Sequence, residues 1–205
     1  SAGLAVNGKN GRLYDKFRNR LMLPVIDVRG DVVGFGSRVL DKSEPKYMNT
    51  PETLTYSKRR ILYGMNLAKK SKRSNIILCE GNLDVVTLHQ AGFDNAVASM
   101  GTALTQEQLR LLSRYTKELV LCYDNDNAGQ QATRRALELL NNSEFSVKVL
   151  QLPRRLVDGE YIKQDADDFI KFQGPAAFER LLTGSENGVE FRLDQIAGKY
   201  DLTDD

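Results

Sequence analysis

Three short acidic stretches of this chain space carboxylates so that they could act together. They are Glu80 and Asp84 in EGNLD, Asp124 and Asp126 in YDNDNAG, and Asp165, Asp167 and Asp168 in QDADDFI. Two carboxylates held about 4 Å apart repel by roughly 4 kcal/mol at an effective dielectric near 20, so a fold that gathers them must protonate them or hold a cation between them. The competing reading of any single pair is local, because Asp and Asn favour turns and helix N-termini through hydrogen bonds to nearby backbone. Convergence of the three stretches separates the two readings, and that depends on the elements that carry them.

From Asn75 onward apolar runs alternate with helical stretches. NIILCE, NAVASM, ELVLCYD and SVKVLQLP read as strands; LDVVTLHQAG, TQEQLRLLSRY and AGQQATRRALELL read as helices, the second opened by Thr105 with Gln108 in capping-box spacing. This alternation predicts an α/β fold with a parallel sheet flanked by helices, whose ligand site lies beyond the carboxyl ends of the strands. Glu80 ends the first strand, Asp124 and Asp126 end the third, and Asp165 to Asp168 follow the fourth after an irregular loop. Asp84 falls in the first turn of a helix, where the dipole tolerates a carboxylate. The acids are therefore expected at one rim of the sheet, which favours a bound cation over turn chemistry alone.

The earlier part of the chain has the opposite charge. Residues 1–79 carry 16 Lys and Arg against 6 Asp and Glu, whereas residues 80–205 carry 13 against 21. Such a split suggests a phosphate-binding surface beside a metal-binding one, and two mutually docked faces would also produce it. LMLPVIDVRGDVVGFGSRVL reads as two strands joined by a turn near Arg29-Gly30-Asp31, with Pro24 marking an edge or a strand start. KSEPKYMNTPET reads as a loop and YSKRRILYGMNLAKKSKR as a short basic helix.

A chain of 205 residues suits one large domain, or one domain with an appendage. Cys79 and Cys122 lack the spacing of a zinc site, so no structural zinc is expected and the thiols read as buried and reduced, in a cytosolic protein. No apolar run reaches membrane-spanning length, and the polar opening does not read as a signal peptide. His89, the only histidine, makes no metal site on its own. Tyr14, Tyr47, Tyr56 and Tyr63 read as packing residues first and base-stacking residues second. Ser99, Gly101 and Thr102 form a tight turn or touch a phosphate.

EGNLD followed by YDNDNAG resembles the Toprim signature, which is shared by bacterial DNA primases, type IA and II topoisomerases and certain nucleases and recombination proteins. The blocks YDKFRNRLMLPVIDVRGDVVGFGSRVL, PKYMNTPET, YSKRRILYG, ASMGTALT and YDNDNAGQQATRRALELL are similar, in order, to the RNA polymerase core of DnaG-type bacterial primase. The resemblance runs from Tyr14 to Phe172. It implies a basic α+β subdomain with a β-hairpin over 1–74, a Toprim-type parallel sheet over 75–172, and a helical segment over 173–205 leading to a further domain. It also implies a zinc-binding domain ahead of residue 1. The chain departs from the family pattern at Asn82, Leu83 and Asn125, has DADD in place of DPD, and has a longer connection in LPRRLVDGEYIKQDADD.

The activity implied is that of a DNA-directed RNA polymerase making short RNA primers from ribonucleoside triphosphates on single-stranded template DNA. A 3′-hydroxyl attacks an α-phosphate and expels pyrophosphate, through a transition state that metal ions stabilise. Hard oxygen ligands select Mg²⁺ or Mn²⁺, and more than one ion is expected. The resemblance makes Glu80, Asp124 and Asp126 the catalytic acids and metal ligands, with Asp84, Asp165 and Asp167 as further ligands or outer-shell residues. Arg18, Arg20, Arg38, Lys46 and Lys58 occupy positions similar to those contacting template DNA and the incoming triphosphate. A replicative helicase is implied as partner through another domain, with a cytoplasmic location at the replication fork and no membrane. A Toprim nuclease or topoisomerase would share the acids, and a receiver-like signalling module would share the sheet. Neither explains the basic blocks.

Overall fold

The structure is a computed structural model that describes residues 4–187. It opens with an antiparallel ribbon of β1 (Ala5–Asn7) and β2 (Leu13–Asp15). A three-stranded antiparallel sheet follows, ordered β3 (Arg20–Ile26), β4 (Val32–Val39), β5 (Tyr47–Asn49). The first two strands are the expected hairpin. Its turn is pinned by Asp27 Oδ1, which accepts from the N–H groups of Arg29, Gly30 and Asp31 at 2.8, 3.1 and 3.1 Å. Gly30 sits at φ 104, a conformation that glycine reaches without a Cβ clash. Pro24 lies in β3, an edge strand of this sheet, where a missing N–H is tolerated.

Two expectations for the basic half are corrected. KSEPKYMNTPET is not loop throughout: within it β5 pairs with β4 in the register Gly36↔Asn49 and Arg38↔Tyr47. The segment read as a basic helix is helical only over α1 (Met65–Ala68). Ser57 to Arg60 form a turn, and β6 (Leu62–Tyr63) pairs antiparallel with a strand of the large sheet. Burial explains the difference: Leu62 and Met65 are each 1% exposed, so the chain follows the sheet edge rather than a solvated helix. Gly64, at φ 81, makes the corner between β6 and α1.

Next come β7 (Asn75–Cys79), α2 (Asn82–Gln90), β8 (Ala96–Ser99), α3 (Gln106–Leu112), β9 (Glu118–Cys122), α4 (Asn127–Leu140) and β10 (Ser146–Val149). The small hairpin β11 (Arg155–Val157) and β12 (Glu160–Ile162) leads to α5 (Ala166–Thr183) and β13 (Glu186–Asn187). The large sheet has the order β13-β10-β9-β7-β8-β6; its four central strands are parallel and both edge strands antiparallel. This is the predicted α/β architecture. Alternate residues of one strand serve opposite faces, with Ile76 and Leu78 joining the core beneath α3 and α4 while Ile77 and Cys79 join the core against α2 and α5. Burial on both faces is why NIILC reads as an unbroken apolar run.

The Thr105–Gln108 capping box forms as read: the Thr105 hydroxyl accepts from the Gln108 N–H at 3.2 Å, and the Gln108 side chain accepts from the Thr105 N–H at 3.1 Å. Cys79 and Cys122 face each other in the β7–β9 register and are buried free thiols. The helical stretch placed at 173–205 begins earlier, at Ala166, and bends at Gly174-Pro175. Residues 188–205 lie outside the described residues. Among the described residues no helix is long and apolar enough to cross a membrane.

Candidate active site

The sheet brings the carboxyl ends of β7, β8 and β9 together, and a cavity of about 500 Å³ opens there. Glu80, Asp84, Asp124, Asp165 and Asp168 line it, as do Lys46 and Lys163. Glu80 and Asp124 are half-buried neighbours at adjacent strand ends, and Glu80 Oε1 accepts from the Asp124 N–H at 3.1 Å. Burial pushes both carboxyls above their ordinary range; Asp124 adds to the shift of Glu80, and Asp165 to that of Asp124. Gly129, in the first turn of α4, makes this closeness possible. A Cβ there would lie 2.0 Å from the Asp124 carbonyl oxygen and 2.7 Å from Glu80 Oε1.

Asp126 does two jobs. It caps α4, with Oδ1 accepting from the Gly129 N–H at 2.9 Å, and its Oδ2 accepts from Lys163 Nζ at 2.7 Å. The Lys163 hydrogen bond, then the Gly129 one, hold its carboxyl below the usual range. The local and the charge-gathering readings of YDNDNAG therefore coexist.

Asp84 is 8% exposed in the first turn of α2. Its two oxygens accept from the N–H groups of Gly81 at 3.0 Å and Asp167 at 3.3 Å. Burial pushes it up to about 7, with Asp165 and Asp124 contributing. Asp165 caps α5 by accepting from the Asp168 N–H at 2.7 Å, and oxygens of Asp165, Asp167 and Asp168 lie within 4.8 Å of one another. Asp167 does not line the cavity; its oxygens accept from the Thr87 hydroxyl and from Lys171 Nζ. Asp168, three residues after the cap, faces the cavity with Asp165.

The basic subdomain supplies another wall. Tyr47, half-exposed at the start of β5, lines the cavity beside Lys46. Lys46 Nζ lies 5.6 Å and Arg38 Cζ 5.9 Å from the centre of its ring. Burial raises the Tyr47 hydroxyl; Arg38 opposes the shift while Asp84, Asp165 and Asp167 add to it. Asn49 docks β5 on the large sheet by donating to the Met100 carbonyl at 3.2 Å. Arg20 Nη2 donates to the Pro45 carbonyl at 2.7 Å and so positions the loop bearing Lys46. Arg18 lies 5.4 Å from the Tyr14 ring and is exposed, while the Lys58 backbone is held by Glu52 and Gln108; neither side chain lines the cavity.

Ser99 and Gly101 reach the cavity and Thr102 does not. His89 is structural, its Nε2 lying 2.8 Å from the Ala96 carbonyl oxygen. Lys163 and the orientation of Asp168 were not anticipated. A lone lysine in an irregular stretch carries no periodic signal, and the short β11–β12 hairpin that aims it was itself unread.

Two family models match the chain. One described as Toprim-like covers residues 77–170, and one described as the DNA primase catalytic core, N-terminal domain, covers residues 1–69. The DNA primase of Clostridium acetobutylicum is 44% identical over 204 residues, which is 99% of this chain and 33% of that protein. The chain thus spans about a third of the length of that relative. Among solved structures, a DnaG primase catalytic domain bound to single-stranded DNA aligns with a TM-score of 0.84 at 38% identity, covering 99% of this chain and 64% of that one. A DNA primase domain from Pseudomonas aeruginosa gives 0.85 at 37% identity, covering 99% and 63%. These relatives favour primase over the nuclease and topoisomerase readings of the shared acids. With a Toprim-like unit, a primase core N-terminal domain and close structural alignment to DnaG cores, the chain belongs to the DnaG-type DNA primase family.

Proposed function

We propose that this chain is the catalytic core of a DNA-directed RNA polymerase that makes short RNA primers on single-stranded DNA, joining ribonucleotides with loss of pyrophosphate. The observation that carries this reading is the shared cavity, with strand-end acids on one wall and Lys46 and Tyr47 of the basic subdomain on another. The relative solved with single-stranded DNA supports such a template here. The full-length protein, on this reading, works in the bacterial cytoplasm at the replication fork, recruited by a replicative helicase through a domain outside these 205 residues. We assign 1–74 to nucleic-acid and nucleotide binding and 75–172 to the metal-dependent chemistry.

The donor set fits Mg²⁺ or Mn²⁺. It consists of hard carboxylate oxygens, and Glu80, Asp84 and Asp124 are pushed toward their protonated forms by burial first and by neighbouring acids second; a cation would offset both. Glu80, Asp124 and Asp126 would hold an ion, and Asp84, Asp165, Asp167 and Asp168 would serve a second ion or orient the first set. Bound divalent ions supply charge stabilisation at the attacking and leaving oxygens. The chain's own residues do the rest. Lys46 offers a mobile point charge to phosphate and Arg38 a planar fork. Tyr47 presents a flat face to a base or ribose, and Arg20 keeps the Lys46 loop in place.

The test is primer synthesis by the full-length parent protein on single-stranded template with ribonucleotides and Mg²⁺ or Mn²⁺. RNA products that disappear with EDTA and with Asp124→Asn are expected. Metal-dependent nicking of DNA without ribonucleotides, and no RNA, would instead promote the nuclease reading.

A further inference from the structure

An ammonium group already sits among the acids. Lys163 follows β12 directly, donates to Asp126 Oδ2 at 2.7 Å, and lines the same cavity as Glu80, Asp124 and Asp165. Its attachment is fixed at both ends of the hairpin. Gln164 Nε2 donates to the Pro153 carbonyl at 2.7 Å across the hairpin neck, and the Arg155 guanidinium lies 3.5 Å from the centre of the Phe172 ring on α5. The side chain itself is a flexible four-carbon stem, 59% exposed. An ion pair so exposed is weakly held in water.

We propose that Lys163 is a partner-changing cation: it neutralises Asp126 until a divalent ion takes that carboxylate, and it then contacts the phosphates of the nucleotide in the cavity. This rests on the acids being metal ligands, as proposed above. The ammonium and the ion need the same oxygen, and the ion has twice the charge and approaches oxygen more closely than an N–H donor does. Asp124 and Glu80 also attract the ammonium, but they are ligands for the same metal and lose their pull once it binds. A released lysine on a fixed base then faces a cavity in which the triphosphate offers it new anionic oxygens, beside Asp165 and Asp168. Lys46 on the basic subdomain and Lys163 on the hairpin would together grip it with two ammonium groups.

The test uses direct Mn²⁺ binding, followed by the paramagnetic signal of the free ion, to the full chain and to Lys163→Met, without nucleotide. Binding of a fluorescent ribonucleoside triphosphate is then measured at saturating Mn²⁺. Loss of the competitor should tighten Mn²⁺ by roughly two- to fivefold, the change that corresponds to one partly exposed ion pair, and should weaken the nucleotide by a similar factor. Lys163→Arg, which keeps the charge, should move both values back toward wild type. If wild type binds Mn²⁺ and Lys163→Met leaves either affinity unchanged, the partner change is overturned. If wild type binds no Mn²⁺, the metal site itself fails and the partner change fails with it.

Discussion

The acids at the rim do not share one electrostatic state, and their substitutions should separate accordingly. Glu80 and Asp124 are pushed up by burial and by their acidic neighbours, so neutralising either relieves repulsion, whereas Asp126 is held down by Lys163 and Gly129 and contributes stability at neutral pH. Glu80→Gln, Asp124→Asn and Asp126→Asn should each lower primer synthesis on the order of 10²-fold or more, the scale of losing one charge-stabilising group. Metal-free melting temperature should rise for the first two and fall for the third. A thermal scan beside the synthesis assay checks both parts. Asp84 adds a pH signature. Its folded pKa of about 7 lies above the ordinary 3.8, so the folded state binds the extra proton between those values, and metal-free stability from this group falls as pH rises through that window. Melting temperatures should decline from pH 3.8, the ordinary value, up to about pH 7 and level off above it, Asp84→Asn should flatten the slope, and a slope that the substitution leaves intact would assign it to another group.

At the scale of elements, the parallel core was legible because β7 and β9 are buried on both faces and read as unbroken apolar runs, separated by stretches of helix length, one opened by the Thr105 capping box. The strand-end rule sets Glu80, Asp124 and Asp126 at one rim; Glu80 and Asp124 line the cavity, while Asp126 is tied to it through Lys163. The short strands were not legible. Two or three residues, as in β5, β6, β11 and β12, are too few to show a period; β5 and β6 also depend on partners distant in sequence or on another sheet edge, while β11 and β12 pair only with each other. The same limit hid Lys163, and the rotation of the first turn of α5 decided that Asp168 rather than Asp167 faces the cavity. Contact between α4 and the strand ends yields a sharp prediction at Gly129. Gly129→Ala would set a methyl 2.0 Å from the Asp124 carbonyl oxygen, so α4 must shift. A destabilisation of about 3 kcal/mol, the upper part of the range for overpacking, is expected in urea unfolding, with Mn²⁺ binding lost in parallel.

Across the whole molecule, the charge split of the sequence becomes two walls of one cavity, so binding of nucleic acid and of metal should be separable by substitution. Lys46→Ala and Arg38→Ala should weaken single-stranded DNA binding and reduce its salt dependence, since each phosphate contact contributes a slope of about −0.7 for single strands. Mn²⁺ affinity should hold. Fluorescence titrations at several salt concentrations check this, and unchanged slopes would return both residues to ordinary surface charge. On this reading the strand-end acids and the basic wall form one metal-dependent nucleotide site. Its most direct test is a crystal soaked with Mn²⁺ and a ribonucleoside triphosphate, with the anomalous signal of manganese locating the ions. Manganese is expected among Glu80, Asp124 and Asp126 with the triphosphate reaching toward Lys46; manganese elsewhere, or a nucleotide bound away from this cavity, would overturn the shared site.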